Sequence, residues 1–122
     1  MGADRAFVDL HCHTSASFDS LSAPSAVVRT AAARGLTHLA ITDHDTLDGA
    51  LEAQALAAAL DPGRGALTVL VGEEIRSRET DLIGVFLREV VPSGLSAAET
   101  IAAVHEQGGL VGIPHPLSLI HI

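Results

Sequence analysis

The chain has 122 residues, 48% of them hydrophobic, which suits one small domain with a real core or part of a larger one. Lys and Arg together number 7 against 15 Asp and Glu, and the net charge of -8 argues against general affinity for a nucleic-acid backbone or an anionic membrane, although metal ions could supply positive charge for a phosphorylated ligand. Cys12 is the single cysteine, which excludes an internal disulfide, and no apolar run approaches the roughly 18 residues of a membrane helix, so a soluble, cytoplasmic protein is expected.

Residues 7–10 are a short apolar strand candidate that leads into His11-Cys12-His13-Thr14. Period-two alternation puts Asp9, His11 and His13 on one face of it and turns Leu10 and Cys12 the other way. Ser22 and Pro24 open a helix that runs through Val27 and Val28 to Arg34, where Gly35 takes the C′ position. Residues 37–42 (THLAIT) read as a buried strand. In the polar turn after it, Asp45 or Thr46 caps a second helix that continues to Leu60 and is stopped by Asp61-Pro62-Gly63. Residues 67–71 form a third apolar run leading into Gly72-Glu73-Glu74, and residues 82–87 a fourth. Ser96-Ala97-Ala98-Glu99 is a capping box, so a third helix starts there and ends at Gly108-Gly109, before a fifth strand over residues 110–113. This mostly βαβα rhythm, without repeat or linker, implies an α/β domain: a parallel sheet with helices outside, open or rolled into a barrel.

Such folds gather reactive groups at the carboxyl ends of their strands. His11 and His13 end the first strand, with Asp19 six residues beyond. Asp43-His44-Asp45 follows the second strand, Glu74 the third and His115 the fifth. A lone histidine beside an apolar stretch is more often a packed or surface residue than a ligand. It is the arrival of separate positions on one rim that favours a metal site, and imidazole with carboxylate is the donor set of Zn, Mn or Fe rather than of Ca or Mg. In the second turn His44 reads as a ligand, Asp43 as a further candidate, and Asp45 and Thr46 as helix caps. Glu74 has better phase for the rim than Glu73, which reads as solvated or paired. Pro114 and Pro116 hold His115 between them with little entropic loss. His38 and His105 read as structural and Cys12 as a small buried side chain. Arg76 shares strand parity with Glu74 and would either clamp a substrate phosphate or pair with Glu79 or another surface acid.

Four motifs in order, Asp9-Leu10-His11-Cys12-His13-Thr14-Ser15, Thr42-Asp43-His44-Asp45, Gly72-Glu73-Glu74-Ile75 and Ile113-Pro114-His115-Pro116, resemble those of the PHP (polymerase and histidinol phosphatase) superfamily of metal-dependent phosphoesterases over nearly the whole chain. The resemblance implies a distorted (β/α)7 barrel with two or three Zn, Mn or Fe ions at the carboxyl ends of its strands. It implies that His11, His13 and Glu74 hold one ion, that Glu74 bridges to a second bound also by His115, and that Asp19 and His44 hold a third. Glu74 and His115 would then stand at the centre of catalysis, and Asp9 would orient a ligand histidine. Asp81 stands where many members place a further metal-binding histidine, and is a possible ligand in its stead. A late Asp-x-His motif of the superfamily has no counterpart. A complete barrel of this kind takes on the order of 200 to 250 residues. The expectation is therefore a partial barrel: residues 1–116 as the N-terminal portion of one domain, residues 117–122 as an atypical tail, and later strands and helices missing.

The function implied is hydrolysis of phosphate esters of small molecules or nucleotides by metal-activated water, with no covalent nucleophile. With no basic, aromatic-rich face, strong nucleic-acid binding is not expected. Two other readings stay open: the exonuclease or proofreading domain of a bacterial DNA polymerase, and a metal-binding domain or fragment without turnover.

Overall fold

The computed structural model describes residues 5–60 and 67–116. The elements in order are β1 (Val8–Cys12), α1 (Pro24–Ala33), β2 (His38–Ile41), α2 (Asp48–Leu60), β3 (Thr68–Arg76), β4 (Asp81–Val85), α3 (Ala97–Glu106) and β5 (Leu110–Gly112). The strands form one sheet in the order β1-β2-β3-β4-β5. The expected stop at Asp61-Pro62-Gly63 and the tail 117–122 lie outside the described residues. Among the described residues no helix is long and apolar enough to cross a membrane.

The first three strands are parallel, as the βαβα rhythm requires, but β4 runs antiparallel to β3 and β5 antiparallel to β4. An all-parallel sheet is therefore corrected to a mixed one, and the reason is chain length. Only Ser77–Thr80 separate β3 from β4, whereas a parallel crossover needs about a dozen residues or more. The turn is closed by Ser77 N–H donating to the Thr80 carbonyl and Thr80 N–H donating to Ser77 Oγ, both at 3.1 Å. β3 is also longer than its apolar run suggests, because Gly72-Glu73-Glu74 continue the strand instead of following it. The double reversal has a consequence for the site. Asp81, at the amino end of β4, and the carboxyl end of β5 both come to the rim where β1, β2 and β3 finish.

All three helices contribute to a core on one face of the sheet. Val28 and Ala31 of α1, Ala50, Ala53 and Ala57 of α2, and Val104 of α3 cluster with Leu39, Ile41, Val69, Val71 and Ile75. The small alanines let α2 lie close to the strands. The capping box at α3 forms as expected, with Ser96 Oγ accepting Glu99 N–H at 3.0 Å and Glu99 Oε1 accepting Ser96 N–H at 3.1 Å. At α2 the helix starts at Asp48, with Thr46 Oγ1 accepting its N–H at 3.1 Å. Asp45 does not cap it. At φ 54° it turns its carboxylate to β3, where Oδ1 accepts Arg76 N–H at 3.4 Å.

A bulge in β1 overturns the simple alternation expected there. Asp9 pairs with Leu39 and Cys12 with Ile41, so three steps along β1 oppose two along β2. The extra residue puts Asp9 and Cys12 on the same, helix-covered face, where both line a cleft with Ala31 and Leu39. Leu10 and His11 line the opposite face, in a cavity of about 570 Å³ with Leu70, Ile83 and Val85. The result is a curled five-stranded half-barrel with its helices outside.

Candidate metal centre

The site is built where β1, β2 and β3 end. Beyond the last residue of β2, Thr42 N–H donates to the Cys12 carbonyl at 2.7 Å, Glu74 N–H to the Asp43 carbonyl at 2.9 Å, and Asp45 N–H to the Glu74 carbonyl at 3.2 Å. The last two make a parallel bridge between His44 and Glu74 that prolongs the β2–β3 pairing to the rim. The loop after β1 is fixed by a buried polar clamp, in which Asp43 accepts both the N–H and the hydroxyl of Thr14 at 2.6 Å each. The imidazoles and carboxylates are thus positioned by strand ends rather than by free loops.

Glu74, 1% exposed, directs Oε1 to His11 Nε2 at 2.8 Å and to His13 Nε2 at 3.0 Å, and those two nitrogens stand 3.0 Å apart. His44 Nε2 lies 3.9 Å from the same oxygen and 3.0 Å from Asp19 Oδ2, while His13 Nδ1 lies 3.7 Å from Asp19 Oδ1. His115 Nε2 faces the other Glu74 oxygen at 3.6 Å. Among the described residues three sets have ligand atoms mutually within 4.8 Å: His11, His13 and Glu74; His13, Asp19 and His44; and His44, Glu74 and Asp81. His11, His13, Asp19, His44, Glu74 and His115 are therefore brought to one rim, and Asp81 joins them.

The electrostatics match a cluster of this kind. Burial would raise the carboxyl of Glu74, but the hydrogen bond from His11 and the nearby charges of His44, His11 and His13 take it below its ordinary range. Asp19 is likewise lowered: desolvation raises it, but the charge of His13 and the hydrogen bond and charge of His44 together outweigh that. Asp81 is raised, first by burial and then by the charge of Glu74 and a hydrogen bond with it. Imidazole nitrogens and carboxylate oxygens converge at spacings of 2.8 to 3.9 Å. Donors bound to one divalent ion at roughly 2.0–2.2 Å stand about 3 to 3.5 Å apart, so this donor set fits a divalent metal ion.

The remaining candidates do other things. Asp9 Oδ1 accepts the backbone N–H of His11 at 3.0 Å, so it holds that residue through the main chain. Asp43 is fully buried in the Thr14 clamp, with Oδ1 3.9 Å from His13 Nδ1. Arg76 sits at the end of β3 opposite Asp81. Glu79 serves α3, accepting Ala97 N–H at 2.7 Å. Of the two expectations for Glu73, solvated or paired, the structure shows the second: the side chain is fully buried on the helix side of the sheet. Its Oε1 accepts Val91 N–H at 2.9 Å, its Oε2 has no hydrogen-bond partner among the described residues, and burial pushes its carboxyl up to about 7. His38 Nδ1 meets Thr37 Oγ1 at 2.8 Å, at the amino end of β2 and away from the rim.

Ser17 is a member of the site that the sequence did not single out. It is 4% exposed, its Oγ accepts His44 N–H at 2.7 Å, and the same oxygen lies 3.2 Å from His13 Nδ1. A serine in a loop rich in serine carries no spacing signal. Its significance lies in joining two candidate ligand histidines, His13 at the end of β1 and His44 beyond β2.

A PHP domain family model matches residues 9–111. An uncharacterized protein of Methanocaldococcus jannaschii is 38% identical over 122 aligned positions, covering 92% of this chain and 68% of the relative. An error-prone DNA polymerase of Mycobacterium bovis is 37% identical over 120 positions, covering 93% of this chain and 11% of the polymerase. The crystal structure of a protein assigned as a metal-dependent phosphoesterase from Bifidobacterium adolescentis superposes with a TM-score of 0.57 at 31% identity, over 66% of this chain and 27% of that one. The chain thus spans about two thirds of the first relative and far less of the other two.

Proposed function

The chain belongs to the PHP domain family, and on that premise we propose that it is a metal-dependent phosphoesterase hydrolysing phosphate esters of small molecules or nucleotides, with water as the attacking group. One observation carries the reading: Glu74 Oε1 lies 2.8 and 3.0 Å from two imidazole nitrogens. It does so on a rim that also holds Asp19, His44, Asp81 and His115. His11, His13 and Glu74 would hold one ion, Asp19 and His44 with His13 another, and Glu74 with His44, Asp81 and His115 the remainder of the cluster. Divalent ions there would polarise the phosphoryl oxygens and bring the pKa of a water towards neutrality.

The protein's own groups prepare this chemistry. The imidazoles around Glu74 keep it ionised in spite of its burial, so both oxygens remain available as ligands. Ser17 Oγ, 3.2 Å from His13 Nδ1, holds that ring with Nε2 facing Glu74 and would accept the Nδ1 proton when Nε2 binds an ion. Arg76, at the end of β3, is within the rim's reach as a partner for phosphate.

The test is elemental analysis of the purified protein for Zn, Mn and Fe, followed by Mn²⁺-dependent hydrolysis of p-nitrophenyl phosphate. His11→Ala should abolish turnover with the circular dichroism spectrum preserved, and turnover that survives this change would refute the assignment. The second reading, an exonuclease module, is favoured by the match to the polymerase over 93% of this chain. Release of mononucleotides from a single-stranded oligonucleotide, at rates above those for the free ester, would decide for it.

A further inference from the structure

Phe18 is 78% exposed, and Leu21 of the same loop is 100% exposed. Single exposed apolar side chains are ordinary on protein surfaces. Phe18 differs in where it stands and in how firmly it is kept there. Its ring centroid lies 4.9 Å from that of His44 with the planes 31° apart, and Nε2 of that imidazole is aimed with Asp19 into a candidate ion group.

The loop presenting the ring is pinned from several sides. Ser15 N–H donates to the Ser22 carbonyl at 2.7 Å, Ser17 N–H to the Thr14 carbonyl at 2.9 Å, and the Ser20 hydroxyl to the His13 carbonyl at 3.4 Å. The residues on either side of Phe18 both engage His44, Ser17 through the backbone N–H at 2.7 Å and Asp19 through the imidazole at 3.0 Å. Phe18 is therefore tied to the metal centre at both of its flanks and keeps its ring in solvent beside it.

From this placement we infer that Phe18 is a specificity-determining residue. It stacks on a planar aromatic ring in the leaving group of the phosphate ester, so that nucleoside monophosphates are preferred to sugar or alkyl phosphates. The inference rests on the phosphoesterase reading and narrows it. A phosphate held by the His44 and Asp19 group has its ester substituent beside Phe18, and a flat ring there covers apolar surface that a sugar alone leaves wet. Stacking of a base on an aromatic side chain corresponds to roughly five- to a hundredfold in affinity.

The probe is the Mn²⁺-loaded chain titrated calorimetrically with adenosine 5′-monophosphate and with ribose 5-phosphate, which differ only in the base. The nucleotide should bind about tenfold more tightly, Phe18→Ala should bring the ratio close to one, and Phe18→Tyr should restore it. Because the ring is solvent-exposed, the alanine variant retains the fold, which circular dichroism verifies. Equal binding of the two esters by the unaltered protein, or a preference that survives in Phe18→Ala, overturns the stacking role and leaves the phosphoesterase reading intact. If Mn²⁺ binds but neither ester nor inorganic phosphate does, the phosphoesterase reading fails and the stacking role falls with it.

Discussion

Thr14 and Asp43 lock the end of the first strand to the end of the second. Asp43 Oδ1 accepts the Thr14 N–H and Oδ2 accepts its hydroxyl, both at 2.6 Å, and both residues are fully buried. Each is the immediate neighbour of a candidate ligand, Thr14 of His13 and Asp43 of His44. The clamp therefore sets the spacing between two imidazoles that come from different strands, and it does so with charge-assisted bonds shielded from water.

Asp43→Ala strands two buried donors at once. With an unsatisfied buried group costing about 1–3 kcal/mol, the variant should lose on the order of 3–5 kcal/mol of stability. It should also lose affinity for Zn²⁺ or Mn²⁺, because the imidazoles are no longer held in register. Urea unfolding and a metal titration measure the two effects, and a variant unfolding at the wild-type midpoint would refute the clamp.

Gly49→Ala tests the same clamp from outside. In a helix Ala is favoured over Gly by about 1 kcal/mol, so propensity alone predicts a gain. A Cβ at position 49, however, would stand 2.3 Å from Asp43 Oδ2 and from Thr14 Oγ1, and 3.1 Å from Ala16 Cβ. The expected result is net destabilisation of about 1–3 kcal/mol together with weaker metal binding. A higher melting temperature in the variant would show that the clamp yields.

The sequence made the rim legible because strand ends and ligand residue types coincide in it: His11, His13, His44, Glu74 and His115 could be placed from the apolar runs before them. The choice between Glu73 and Glu74 came from parity, and only Glu74 has its carboxylate among the imidazoles. The direction of β4 was misjudged although its signal was present, since the ten residues between the third and fourth apolar runs already fall short of the dozen or more that a parallel crossover needs. The bulge that sends Asp9 to the helix face was not legible, because it arises from the register between two strands and not from either alone. Ser17 escaped for a related reason: its partners, His13 and His44, meet it only after the chain has folded.

Glu73 should make stability depend on pH. Its carboxyl lies at about 7 in the folded protein against an ordinary value of 4.5, so the folded state holds the proton more tightly than the unfolded chain does. The stability from this group is complete below about 4.5 and is lost as pH rises to 7, at up to about 1.4 kcal/mol per pH unit. Glu73→Gln keeps the acceptor for Val91 N–H and cannot ionise. The difference in unfolding free energy between variant and wild type should therefore widen in the variant's favour from pH 5 to pH 8. A constant difference across that range would mean that the carboxyl ionises in the folded protein as it does in water.

Ser17→Ala should weaken metal binding at the candidate centre without unfolding the protein. Ser17 Oγ lies 3.2 Å from His13 Nδ1 and holds that ring with Nε2 facing Glu74, and when a cation takes the Nε2 lone pair the same oxygen can accept the proton left on Nδ1. Removing such a partner typically lowers metal affinity about 10- to 100-fold. Competition with a chelator should show a loss of that size for Ser17→Ala and recovery in Ser17→Thr, which keeps the hydroxyl. The ion stabilises only the state that binds it, so the loss should also appear as a smaller rise in melting temperature on adding Zn²⁺, with the metal-free proteins melting much closer together. Equal zinc-induced shifts in Ser17→Ala and wild type would leave His13 oriented by other contacts, with Asp43 Oδ1 at 3.9 Å the nearest alternative on the buried side.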